Sequence, residues 1–313
     1  MFGCHDACYI LYNGVLRGVT PEKGVTTFSP RSPPKFTLFW RIATLQLKSF
    51  DEITKDHRHI FLSPHLNDVV YSCGGTLGVQ VSTGIRPLVI TVFAGVPPSN
   101  QELSPYATEV QKEMGFRQNA QTAMTIRREE DARALEYLHV DYLWLDYLDA
   151  IYRGTPAYYT QKRQLIGGDV HPADLWIDKE LAQNLVALHD RLPDTVWYAP
   201  LGVGRHVDHQ IVCSAVDRLI QLGANVKLYE DFPYVLSKDA LEGRLQEFGG
   251  TLEPAFVEMS EMLHLRQEAS EMYNSQIQLS FPDKASMFQY MQDYTHSIRP
   301  VQTVHLERYW TAR

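Results

Sequence analysis

From residue 57 onward, short apolar runs alternate with longer stretches whose apolar residues recur at helical spacing. Ile60-Phe61-Leu62 has the length and composition of a buried strand and predicts one over 60–63, stopped by Pro64. A helix near 69–83 follows, with Gly84 in the usual C-terminal position. Residues 87–94 are nearly all apolar and predict a central strand covered on both faces. Helices are expected over 106–115 and 119–138, a strand over 142–146, a helix over 175–190 and a strand over 195–200. Then come a helix over 207–222 closed by Gly223, a strand over 226–230, and helices near 237–247, 260–279 and 284–296. This alternation predicts an α/β fold: a Rossmann-like, mostly parallel sheet with helices on both faces, in a single domain over 51–313. Between strand 142–146 and helix 175–190 lies a long polar loop, 154–174, with Tyr158, Tyr159, Gly167 and Gly168. Loops of that length in compact domains often form binding lids.

Residues 1–50 lack this pattern and read as an N-terminal extension. The stretch 20–35 is rich in Pro, Ser, Thr and Gly and reads as a draped loop, while 38–47 has the spacing of one short amphipathic helix. Cys4-His5-Asp6-Ala7-Cys8 has the residues of half a metal site, but no second Cys/His pair lies nearby, so a loose terminus is expected.

Composition narrows the class without naming it. The chain has 313 residues, 44% hydrophobic and 21% charged, enough for a sizeable core. A net charge of −8 argues against nucleic acid or an anionic membrane as the main partner. The longest apolar run, Leu88 to Val96, is far short of the ~20 residues that span a bilayer. No basic flank followed by an apolar core opens the sequence, and four cysteines are too few for a disulfide scaffold. The expected setting is reducing and cytoplasmic. A homo-oligomer is compatible with all of this.

Candidate chemistry sits at two strand ends. After strand 60–63 come His65, Asn67 and Asp68; after strand 195–200 come Arg205-His206-Val207-Asp208-His209. Alone, the first segment reads equally as a capping turn, with Asn67 or Asp68 at the start of the next helix. Together the segments offer two His–carboxylate sets, and two histidines with a carboxylate, leaving a position to water, make a common catalytic zinc set. Ligand sites of open α/β sheets lie at the carboxyl ends of their strands. The glycine-rich loops of nucleotide-binding sheets are missing after the first strand, because Gly74-Gly75 falls well inside the expected helix.

In these segments the chain resembles the PIG-L/LmbE-like zinc deacetylases of N-acetylated sugars. Their His-Pro-Asp-Asp segment corresponds to Pro64-His65-Leu66-Asn67-Asp68, and their His-x-Asp-His segment to His206-Val207-Asp208-His209. Cys73-Gly74-Gly75-Thr76, Arg127-Arg128-Glu129-Glu130-Asp131, Glu230-Asp231-Phe232-Pro233-Tyr234, Tyr273-Asn274-Ser275-Gln276 and Glu307-Arg308-Tyr309-Trp310 extend the likeness over roughly 57–313. The resemblance implies a single Zn²⁺ held by His65, Asp68 and His209, with His206 facing the oxyanion and Asp208 orienting it. It also implies a substrate-contacting Arg127, pointing into the pocket while Arg128 faces solvent. Asp149 and Arg153, at another strand end, are candidates either for sugar hydroxyls or for a loop salt bridge.

The implied activity is hydrolysis of the N-acetyl or N-acyl amide of an amino sugar or glycosylated small molecule. One position departs. Asn67 stands where the family has its general base, and an amide offers no carboxylate to accept a proton. Severe impairment is expected, since a positioned acid–base group contributes roughly 10²–10⁴-fold. Three accounts stay open: an Asp-to-Asn variant of an active deacetylase, a relative that recruits another carboxylate such as Asp208, or an inactive sugar-binding homologue that keeps the metal pocket.

Overall fold

A computed structural model describes residues 43–117, 119–301 and 303–312. The readings on Cys4–Cys8, on 20–35 and on the start of the 38–47 helix lie outside the described residues.

Eight strands form one sheet: β1 (Gln46–Leu47), β2 (His59–Ser63), β3 (Pro87–Thr91), β4 (Asp141–Trp144), β5 (Val196–Pro200), β6 (Asn225–Tyr229), β7 (Leu252–Glu258) and β8 (Leu306–Ala312). The helices are α1 (Asp68–Ser82), α2 (Pro105–Glu113), α3 (Ala120–Tyr137), α4 (Leu175–Arg191), α5 (Val207–Gln221), α6 (Ala240–Glu247), α7 (Leu263–Glu271), α8 (Asn274–Ser280) and α9 (Lys284–Ser297). The strand order is β1-β4-β3-β2-β5-β6-β8-β7. Pairing is parallel from β1 to β6, and β8 runs antiparallel to both β6 and β7. The fold is therefore the expected α/β sheet, mostly parallel.

Its topology fixes where a site can form. From β2 the chain winds outward to β3 and β4, then crosses back to β5 and β6 on the other side of β2. The crevice between the carboxyl ends of β2 and β5 is thus the switch point, where the connecting loops part and leave room for a ligand. β2 can occupy this central place because Ile60, Phe61 and Leu62 are fully buried on both of its faces. A second apolar cluster, including Leu66, Ala94, Met124, Ala150, Ile151 and Val207, packs beneath the loops at the same end of the sheet.

Three expectations need correction. The described end of the 38–47 helix is extended: Gln46–Leu47 pairs with Tyr142–Leu143 at the sheet edge, and the Leu45 N–H donates to Asp141 Oδ1 at 2.7 Å. The compact unit accordingly starts at Thr44, ahead of residue 51. The single helix over 260–279 is split, because Tyr273 and Ser275 are pinned to α3: the Tyr273 hydroxyl donates to Asp131 at 2.7 Å, and Ser275 donates twice to Glu130. Finally, β7 and β8, absent from the expected pattern, add an antiparallel edge.

Candidate active site

The turn after β2 carries the first three candidates. Asn67 adopts φ 139°, a conformation that residues other than glycine rarely take and that asparagine tolerates better than most. The turn brings Asp68 back under His65, whose backbone N–H donates to Asp68 Oδ2 at 2.7 Å. The loop after β5 makes a similar reversal. Gly204, at φ +84°, has no room for a side chain, since a Cβ there would lie 2.8 Å from the Tyr234 ring. The next residues, Arg205 at φ 52° and His206 as the N-cap, aim the start of α5 at the turn after β2. Such departures from ordinary backbone cluster at functional sites.

Geometry separates the roles of the histidine nitrogens. His65 Nδ1 and His209 Nε2 each lie 3.2 Å from the same oxygen, Asp68 Oδ2. The other nitrogen of each ring is taken by a second carboxylate: His65 Nε2 by Asp208 at 2.9 Å, and His209 Nδ1 by Asp231 at 2.6 Å. Asp231 is itself held by the N–H groups of Gly202 and Val203. This is the carboxylate–histidine arrangement that orients metal ligands. His209 Nε2 is buried and has no hydrogen-bond partner among the described residues.

Three donor atoms on a tetrahedral ion, with bonds of about 2.0–2.2 Å, would stand roughly 3.3–3.6 Å apart, just over the 3.2 Å of the two contacts to Asp68 Oδ2. His65, Asp68 and His209 therefore fit a zinc ion in donor type, spacing and unsatisfied nitrogen. His65, His206 and Asp208 also come together. That trio is the poorer set, because His65 Nε2 already bonds Asp208 and His206 Nδ1 accepts the Asp208 N–H at 3.1 Å.

The electrostatics favour a cation at this centre. Burial works against charge on His209, but Asp68 and Asp231 outweigh it and raise its pKa to about 10. Burial likewise opposes charge on His65, and Asp208 and Asp68 raise it to about 9. His206 goes the other way: burial and the charge of His65 push it down to about 3, so its ring is neutral. With Nδ1 acting as acceptor, the neutral ring carries its proton on Nε2.

Asp208 differs from its expected part. Its backbone N–H holds His206, but its carboxylate goes to His65, to the Ala150 N–H at 3.0 Å, and to Arg153, 2.6 Å away. Arg127 is buried and donates to Asp149 at 3.0 Å, and its Nε lacks a partner among the described residues. Arg128 does not face open solvent. It donates to the Ala94 carbonyl and to Asp146 and lies over the Trp144 ring. Asp149 and Arg153 both sit in buried ion pairs, with Arg127 and with Asp174 plus Asp208 respectively. The sequence pattern gives no role to Asp174, and it gives Asp231 only as part of the Glu230–Tyr234 segment. The available signal for Asp231 was its place at the end of β6, the strand next to β5.

The remaining shared motifs hold the scaffold. Glu307 accepts the N–H groups of Gly75 and Thr76 and pairs with the buried Arg266. Glu230 accepts from Arg308 and Trp310.

A family model for PIG-L, the GlcNAc-PI de-N-acetylases, matches residues 60–220, which include both histidine segments. A 2'-N-acetylparomamine deacetylase of Streptomyces fradiae is 30% identical over 76% of this chain and 80% of its own length. The chain belongs to the PIG-L family. A second 2'-N-acetylparomamine deacetylase, from Niallia circulans, is 30% identical over 56% of this chain and 66% of its own. Among solved structures, the zinc-inhibited form of teicoplanin deacetylase superposes with a TM-score of 0.66 at 26% identity, covering 82% of this chain and 98% of that one. A deacetylase of the A40926 pseudoaglycone gives 0.65 at 25% identity over the same shares. The PIG-L match ends before Asp231, so the carboxylate that orients His209 lies outside the matched span.

Proposed function

We propose that this chain hydrolyses the N-acetyl amide of an amino sugar or glycosylated small molecule at one zinc ion held by His65, Asp68 and His209. The observation that carries the reading is the convergence of two imidazole nitrogens on one Asp68 oxygen, each ring fixed from behind by a carboxylate. The relatives, named for deacetylating 2'-N-acetylparomamine, teicoplanin and the A40926 pseudoaglycone, support this substrate class.

Bound zinc would supply Lewis-acid polarisation of the amide carbonyl and of the attacking water. The chain's own residues do the rest. His206, neutral and with its proton on Nε2, donates to the oxygen that gains charge as the carbonyl becomes tetrahedral. Asp208 and Asp231 keep the two ligand rings in register. Arg127, held by Asp149 and with an Nε unpartnered among the described residues, contacts the sugar.

Proton transfer is the weak step. Asn67 offers an amide, and the nearby carboxylates are engaged: Asp68 by two histidines, Asp149 by Arg127, Asp208 by His65 and Arg153, and Asp231 by His209. That engagement argues against Asp208 as a substitute base. It also keeps a second reading, a sugar-binding homologue that retains the metal pocket, in view. No helix among the described residues is long and apolar enough to cross a membrane, and a cytoplasmic setting suits the free Cys73 and Cys213. Elemental analysis of the purified chain should give one zinc per chain. An assay on N-acetylglucosamine and 2'-N-acetylparomamine should give slow release of acetate. Stoichiometric zinc with no turnover of either would favour the binding reading.

A further inference from the structure

The 154–174 loop lines an open, solvent-facing cavity of about 340 Å³ that shares no residue with His65, Asp68, His206 or His209. Tyr158, Tyr159, Arg163, Gln164, Asp169 and His171 supply its polar and aromatic lining. The Tyr158 ring is stacked flat on His171, 4.2 Å between centroids and 4° between planes, which gives the lining a flat aromatic element. Arg163 and Asp169 are exposed on the rim, and neither makes an ion pair among the described residues.

Two sets of contacts join this cavity to the catalytic end of the sheet. Ile166 forms an isolated antiparallel bridge with His206, the Gly167 N–H donates to the Arg205 carbonyl at 3.0 Å, and Gln210 donates to the Gly168 carbonyl at 2.8 Å. From the lining residue Tyr159 a second path runs inward: the Tyr159 hydroxyl and Arg153 both donate to Asp174, and Arg153 also contacts Asp208, whose carboxylate bonds His65.

We propose that this cavity is a second subsite, holding a non-reacting ring of a multi-ring amino sugar whose acetylated ring lies at the zinc site. The inference rests on the deacetylase reading and names the substrate more closely. The volume is at the small end of the range for ligand pockets, about 300–1,000 Å³, which suits one ring. A flat aromatic element accepts the C–H face of a sugar. A carboxylate and a guanidinium on one rim suit ammonium and hydroxyl groups, whereas Asp169 beside Arg163 opposes a phosphate. Because the loop is bonded to Arg205 and His206, filling the cavity steadies the oxyanion donor. Binding energy from a remote ring is then used in the transition state, and the second ring should raise kcat as well as lower KM.

The test compares N-acetylglucosamine, with one ring, and 2'-N-acetylparomamine, with two, in the full chain and in Asp169→Asn, Tyr158→Ala and Tyr158→Phe. Binding of paromamine is followed by calorimetry. The ratio of kcat/KM, two rings over one, should fall by about tenfold in Asp169→Asn and Tyr158→Ala, an ordinary effect for one lost subsite contact. Tyr158→Phe, which keeps the flat ring, should hold the ratio, and paromamine affinity should follow the same order. If the ratio is unmoved, or both substrates lose rate in proportion, the subsite is wrong and the deacetylase reading stands. If neither substrate is turned over, yet paromamine binds and Asp169→Asn weakens it, the subsite stands and the deacetylase reading falls. If the parent chain does not bind paromamine, the subsite is overturned. Asp169 is exposed, so its substitution tests the idea even if Tyr158→Ala fails to fold.

Discussion

Asn67 is where a single side-chain atom decides the outcome. Its backbone, at φ 139°, suits asparagine and aspartate better than most residues, and the two side chains have nearly the same volume, so Asn67→Asp should leave the turn intact. A carboxylate there would lie near the cation and stay ionised. We expect Asn67→Asp to raise kcat on a true substrate by about 10²–10⁴-fold with zinc content unchanged. A parent chain that is already fast, and a variant no faster, would assign the base to another residue. The histidines should separate cleanly. His209→Ala removes the buried nitrogen proposed as a ligand and should release the metal, as read by elemental analysis. His206→Ala should keep the metal and lose about 10²–10³-fold in kcat, the usual loss for one oxyanion donor. Metal that stays stoichiometric in His209→Ala would overturn the ligand set.

At the scale of elements, the close approach of α1, α7 and β8 holds the first histidine turn in place. A Cβ on Gly75 would lie 2.7 Å from Met259 Cγ and 2.8 Å from Glu307 Oε1, and one on Gly74 would lie 2.9 Å from Arg266 Cγ. Gly75→Ala should therefore destabilise the chain by about 1–3 kcal/mol, the cost of overpacking a dense core. Glu307→Ala should cost more, about 3–5 kcal/mol, because it strands the buried Arg266 without its carboxylate and removes an acceptor from two helix N–H groups. Thermal unfolding checks both, and a Glu307→Ala midpoint equal to that of the parent would remove the clamp from the account. These contacts mark the limit of reading elements from sequence. Periodicity predicts one helix over 260–279, but it gives no hint that the helix breaks at Tyr273 or that Arg266 is buried. The strand at 252–258 escapes because its burial alternates only weakly and Pro254 interrupts it, so its pairing is set by β8, far along the chain.

Over the whole molecule, the legible part of the site is what lies just after apolar strands. His65 and Asp68 follow β2 and His209 follows β5, so strand signals and histidine segments pointed to the same crevice. The role of Asp231 behind His209, and the path from Asp174 through Arg153 to Asp208, are not legible, because they depend on which strands become neighbours and on how a long loop folds back. A metal held by His65, Asp68 and His209 would be a tie across the switch point, since those residues come from the turn after β2 and from α5, with Asp231 behind His209 after β6. An ion bound only to the folded chain stabilises it by mass action, by about 4 kcal/mol at a thousandfold excess over Kd. For a unit of this size that is worth roughly 10 °C in Tm. Chelation should lower the Tm of the parent chain by about this amount and abolish acetate release. His209→Ala and Asp68→Ala should start from the lower Tm and show no further response to chelator. If the parent loses its zinc without a shift in Tm, the ion does not tie the two halves of the sheet together. If the His209→Ala protein still responds to chelator, the metal is held elsewhere.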